Sequence, residues 1–215
     1  MRSAVPVATL IAFTFAAVAV LGHTAADGGF RWDAQGPRAA DAIYDVGGAV
    51  LAIKVLIYLS IVVGAVGSLA VLCTFVAFGE ARRAMFWALA VGGVLVLVPL
   101  LKVTFARPGI GAAQDQYSLP SGNAAASAAI VGAALLLLGR TPSRRIAALG
   151  ALVVLAEGAG LLLLGWHYPS DILAGWCVAA AWVATVWLVV VARRDRTASR
   201  SRVQRGASSP EGSSW

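Results

Sequence analysis

The sequence predicts an all-α fold, a polytopic membrane bundle of about six transmembrane helices. Three observations predict it. Hydrophobic residues make up 60% of the 215 positions and only 13% are charged, more apolar surface than one soluble core can hide. The apolar residues fall into runs at 4–21, 50–78, 85–104, 121–139, 146–165 and 172–192, each near the length of about 20 residues that crosses a bilayer. The basic residues cluster in alternate connections between those runs, which is how a topology signal is distributed.

The first run follows Arg2 and suits either a span or a signal sequence ending near Thr24-Ala25-Ala26. Its length favours the span. Residues 23–48 then form a polar stretch with Asp27, Arg31, Asp33, Arg38, Asp41 and Asp45, expected to be an external loop with part of it a short amphipathic helix. Residues 49–192 make a five-helix membrane core. The arginine-rich tail, 193–215, carries the Ser, Gly and Arg content of a disordered segment.

Orientation follows from Lys and Arg at span ends. Arg2, the loop Glu80-Ala81-Arg82-Arg83, the loop Arg140 to Arg145 and the tail from Arg193 alternate with loops poor in basic residues. Placing all four in the cytoplasm satisfies every span. The loops at 23–48, 105–120 and 166–171 are then external, and the protein is expected in a bacterial plasma (inner) membrane as a multi-pass protein with a cytoplasmic tail. The formal charge of +7 is thereby a topology signal and not a nucleic-acid-binding surface. Cys73 and Cys177 lie within apolar runs and read as packing residues. With only His23 and His167 as histidines, neither a metal site nor any other cofactor is expected.

Three segments at the external ends of helices carry the residues that chemistry would need. Lys102 and Arg107-Pro108 close the third span. Alone, they suit basic residues snorkelling to headgroups, although the chain has just one other lysine, Lys54. Leu119-Pro120-Ser121-Gly122-Asn123 opens an Ala-rich helix. Ser121 is a natural cap there, and the same free N–H groups, with no Cβ at Gly122, suit phosphate oxygens. Gly165-Trp166-His167-Tyr168-Pro169-Ser170-Asp171 leads into the last span. Its aromatic residues suit a membrane interface, while a carboxylate four residues beyond a histidine can fix the imidazole tautomer and leave the other nitrogen nucleophilic.

In order and placement these three segments resemble the motifs of the type 2 phosphatidic acid phosphatase and vanadium haloperoxidase superfamily. The likeness covers about 50 to 192. It implies a membrane phosphatase-like protein that hydrolyses a lipid phosphate or polyprenyl diphosphate, without a metal, through a histidine nucleophile. By position, Lys102, Ser121 and Gly122 match phosphate-binding residues, His167 the nucleophile and Asp171 its orienting carboxylate. Arg107 and Asn123 join the phosphate-binding set. The pattern also breaks. Gly109-Ile110 stands where Arg-Pro belongs six residues after Lys102, Asn123 replaces the histidine that protonates the leaving group, and Gly160-Leu161 replaces Ser-Arg. Each missing arginine removes charge neutralisation, and Asn has no proton for a leaving alkoxide. The alternative is therefore a catalytically inactive member that binds a lipid headgroup or a membrane partner. A small transporter is a weaker third reading, since no inverted repeat is visible and Glu157 is the one plainly intramembrane acid. Glu157 itself suits either a substitute acid or an inward-facing carboxyl hydrogen-bonded to a neighbouring helix or to Lys54.

Overall fold

The computed structural model describes residues 4–27, 29–110, 116–139 and 143–192. The tail expected to be disordered, 193–215, lies outside the described residues, as do Arg2 and Arg140.

The described residues are helical apart from turns and one isolated bridge, Pro108 to Tyr117. Helix α1 spans Ala4–Asp27, followed by a 3-10 turn at Arg31–Ala34, α2 at Gln35–Tyr44 and α3 at Ala49–Ala77. Helix α4, Ala81–Trp87, runs through a π-helical segment, Ala88–Gly92, into α5, Gly93–Phe105. Then come α6 at Gly122–Leu137, α7 at Arg144–Leu163 and α8 at Pro169–Trp187. The short helix expected within 23–48 is α2.

Four stretches are long and apolar enough to cross a membrane: Ala49–Ala77, Ala81–Phe105, Arg144–Leu163 and the one opening at Pro169. Two further apolar helices are shorter, Leu10–Thr24 and Gly122–Leu137. Exposed Leu, Val, Ile and Phe side chains cover the outer faces, which fits a protein solvated by lipid.

Helix α8 is the centre. Half of its apolar stretch is buried, against 6% for α3. On one side it receives Ala17, Val20 and Leu21 of α1 against Ala174, Cys177 and Val178. On another it meets the small residues Ala125, Ala129 and Ala133 of α6. These backbones approach so closely that a Cβ on Gly175 would stand 2.6 Å from the carbonyl oxygen of Ser121, the small-residue contact that lets helices pack without large side chains. Cys177 belongs to this core, whereas Cys73 is exposed on α3, so the expectation that both pack inside is corrected: position 73 turns outward.

The π-helical segment shifts the register of the α4–α5 stretch. The indole N–H of Trp182 in α8 donates to the carbonyl of Leu89, 2.9 Å away, and its ring lies 2.5 Å from where a Cβ on Gly93 would sit. Glycine there admits the tryptophan.

Candidate functional site

The site is built where α5 ends and α6 and α8 begin. Helix α5 closes on Ala106, whose left-handed φ of 46° is unusual for a residue with a Cβ. Its N–H still reaches Lys102 O, and the reversal sends Arg107 back across the bundle end toward α8. The returning segment, 116–118, is fixed by Ser118 N donating to Arg107 O at 2.8 Å and by Lys102 Nζ donating to Tyr117 O at 2.7 Å.

Helix α6 starts at Ser121, which is fully buried. Its side-chain oxygen faces Ala124 N at 3.5 Å, and its own N–H donates to the carbonyl of Asp171 at 2.9 Å. That backbone bond ties the start of α6 to the start of α8, immediately beside the close contact at Gly175. Gly122 and Asn123 follow, and with Lys102 they line one end of a cavity of about 650 Å³ between α3, α5, α6 and α7. The cavity is mostly apolar farther in. Glu157 lines it too, facing the hydroxyls of Ser127 of α6 and Ser60 of α3, which is the inward-facing arrangement.

Helix α8 starts with Pro169 in its first turn, where the missing N–H costs nothing. Asp171 is fully buried. Its Oδ2 accepts the Tyr168 N–H at 3.0 Å, and its Oδ1 accepts from Arg107 Nη1 at 2.7 Å. His167 Nδ1 faces Oδ2 at 3.6 Å. This is too long for a hydrogen bond, and Nδ1 is buried without one. A movement of well under 1 Å would close the gap.

Arg107 is the hub. Nη1 donates to Asp171 and also to Ser170 Oγ at 2.7 Å, while Nη2 donates to Asp33 Oδ2 at 3.0 Å. Its guanidinium carbon sits 3.9 Å above the ring of Tyr168. Asp33 further accepts the Ser170 N–H on Oδ1 at 2.9 Å, and the Ser170 hydroxyl and the Phe30 N–H on Oδ2 at 2.7 and 3.0 Å. Burial alone would raise the Asp33 pKa, but the donors from Ser170, Phe30 and Arg107 outweigh it and hold the carboxyl below its ordinary value. The chain crosses directly over this ion pair at Gly29, where a Cβ would stand 2.5 Å from Arg107 Nη2.

The structure thus gathers Lys102, Arg107, Ser121, Gly122, Asn123, His167 and Asp171 at one end of the bundle. Asp33 and Ser170 are participants that sequence reasoning missed. Positions where the motif pattern breaks have a physical explanation in one case: Leu161 is fully buried with Ile57, Leu164 and Ile172, and a Cβ on Gly160 would stand 2.9 Å from Ile57 Cδ1. That corner is apolar packing, with no opening for a guanidinium. Gly109 N instead donates to Gln116 O at 2.8 Å, beside the Pro108–Tyr117 bridge. Among the described residues, no three His, Cys, Asp or Glu side chains gather as a metal site.

Neither a curated protein nor a solved structure matches the chain. A family profile does, the PAP2 superfamily, over residues 83–195, which holds all three segments that carry the site. The match spans more than half of the chain, so the protein belongs to the PAP2 superfamily of type 2 phosphatidic acid phosphatases and their relatives, a membership that suggests a phosphatase-like function on a phosphorylated lipid in a membrane setting.

Proposed function

We propose that the protein hydrolyses a lipid phosphate, and best a polyprenyl or other lipid diphosphate, through a phosphohistidine on His167 at the external face of a bacterial plasma membrane. The observation that carries this reading is the His167–Asp171 pair. Asp171 is held on both oxygens, and Oδ2 faces Nδ1 of His167 at 3.6 Å. A proton kept on Nδ1 by that carboxylate leaves the Nε2 lone pair for attack.

Lys102, Asn123 and the start of α6 at Ser121 and Gly122 hold the phosphoryl oxygens, the helix N-terminus contributing N–H groups without intrahelical partners. Arg107 stands at the edge of this cradle with its charge shared between Asp33 and Asp171. In the first step Nε2 forms the N–P bond as the P–O bond to the leaving group breaks. In the second, water attacks phosphorus, the P–N bond breaks and inorganic phosphate departs. Asn123 cannot protonate the leaving oxygen, so the leaving group must carry its own negative charge well. A diphosphate, which leaves as a lipid monophosphate, does so better than an alkoxide.

A second reading, an inactive member that binds a lipid headgroup, is favoured by the ion-paired state of Arg107 and the apolar packing at Leu161. Phosphate release from purified protein in detergent, measured over lipid monophosphates and diphosphates, separates the two. The expected result is release that is fastest from diphosphates and abolished by His167→Ala. Release untouched by His167→Ala, or none on any substrate, refutes the phosphohistidine reading.

A further inference from the structure

Asp33 lies outside the stretch that matches the family, in the turn between α1 and α2, yet it is 4% exposed and sits against the first turn of α8. We propose that Asp33 is a positioning residue: it fixes the guanidinium of Arg107, which holds Asp171 in the orientation that presents Oδ2 to His167.

A guanidinium is planar and rigid, so fixing one nitrogen and the ring plane fixes the other nitrogens. Asp33 fixes Nη2 at 3.0 Å, and Tyr168 beneath the Cζ atom at 3.9 Å fixes the plane. The two N–H groups of Nη1 are thereby aimed at Ser170 Oγ and Asp171 Oδ1, each at 2.7 Å. Asp33 also grips Ser170, the residue before Asp171, by both its N–H and its hydroxyl. With Oδ1 held by Arg107 and Oδ2 by the Tyr168 N–H, the Asp171 carboxylate cannot rotate, and Oδ2 remains facing Nδ1 of His167.

A simple tether for the α1–α2 segment would not require this arrangement. Two carboxylates and one guanidinium are buried together, with side chains 6%, 0% and 9% exposed. Buried ion groups of this kind are weak contributors to stability compared with apolar packing of similar size. What they supply is a fixed direction for each donor, which a carboxylate that must stay within reach of one imidazole nitrogen needs.

The proposal rests on the reading of His167 as the nucleophile, but its geometry is testable without turnover. The full chain in detergent micelles is labelled with ¹⁵N-histidine. It has two histidines, so a His23→Gln variant assigns the spectrum. The wild type is expected to show His167 mainly as the Nδ1–H tautomer near neutral pH. Asp33→Asn, which removes the charge and turns one acceptor into a donor, is expected to shift His167 toward a mixture of tautomers. Arg107→Lys, which keeps the charge but loses the planar fork, is expected to do the same and stands in should Asp33→Asn fail to fold. In the phosphate-release assay Asp33→Asn should lower kcat by about 10²-fold with little change in KM.

An unchanged His167 spectrum in both variants overturns the proposal, even if their melting temperatures fall, because a tether alone would lower stability and leave the tautomer untouched. A changed spectrum in a protein that releases no phosphate upholds the positioning role and sinks the phosphatase reading. An active enzyme with an unchanged spectrum does the reverse.

Discussion

Gly175 offers the sharpest test of the way α6 and α8 assemble the site. A methyl group there would meet Ser121 O at 2.6 Å and Ala125 N at 3.2 Å. Both are backbone atoms of the first turn of α6, already packed on α8, so neither can swing aside. Gly67, in α3, has nothing within 4 Å of its Cβ position. Replacing either glycine by alanine gains the same helix propensity, about 1 kcal/mol, so that gain cancels between Gly175→Ala and Gly67→Ala and their difference isolates the overpacking. Overpacking costs about 1–3 kcal/mol, and contact with two backbone atoms of α6, which cannot rotate away, places this site at the upper end. At roughly 2–4 °C per kcal/mol for a chain of this size, Gly175→Ala should melt about 6–12 °C below Gly67→Ala. A thiol-reactive fluorophore reads the transition on a Cys73→Ser background, where the remaining thiol is Cys177, buried on α8 two residues beyond the substitution. The same methyl pushes Ser121 away from the Asp171 carbonyl that it bonds at 2.9 Å. A displacement near 1 Å between the phosphate cradle and the nucleophile is expected to cost about 10²-fold in phosphate release. Melting temperatures within about 2 °C of each other would refute the close packing at Gly175, and with it the account of how the two segments are brought together.

Asn123→His restores a proton donor one position past Gly122. Hydrolysis of lipid monophosphates should rise by about 10²–10⁴-fold, with a smaller gain on diphosphates, and an unchanged ratio of the two rates would count against Asn123 standing at the leaving group. Acid should weaken the protein partly through Asp33. Its carboxyl is held below the ordinary value, so its contribution to stability is full above the unfolded pKa of about 3.9 and is lost as pH falls through the lower folded value. Melting temperature followed downward from pH 7 should therefore drop more steeply for the wild type than for Asp33→Asn, and parallel curves would show that Asp33 contributes nothing to acid sensitivity.

The parts of the site legible in the sequence are those fixed by local pattern. Ser121-Gly122 opening an Ala-rich run and Pro169-Ser170-Asp171 opening another are helix starts by residue type alone, and the apolar runs before them bring both to one end of the bundle. Asp33 was not legible, because Asp27, Asp41 and Asp45 share its surroundings in the same polar stretch. Its burial against the start of α8, with donors from Arg107 and Ser170, singles it out. Arg107 was visible as a residue but its partners were not, since Asp33 and Asp171 lie 74 and 64 positions away. The π-helical segment at Ala88–Gly92 was equally hidden. The residue that bonds its Leu89 carbonyl, Trp182, lies 93 positions away. Leu161 appeared in the sequence only as a missing arginine, and the structure gives it a positive role as core.

The sparse burial of α3 has a consequence for how this protein can vary. A helix with 6% of its apolar stretch buried is answerable to its solvent more than to its neighbours. Lipid asks for length and greasiness, and Val, Leu, Ile or Ala satisfy it about equally. The positions tied to particular partners form one narrow stripe, with Ile57 against Gly160, Tyr58 against Trp166, Ser60 beside Glu157, the Ser68 carbonyl bonded by Trp87, and Val71, Leu72 and Phe75 on the core. Random substitution along α3 should therefore be accepted freely among apolar residues and rejected along that stripe, whereas α8 should reject change along most of its length. Mutational tolerance, mapped position by position, becomes a map of where protein ends and bilayer begins.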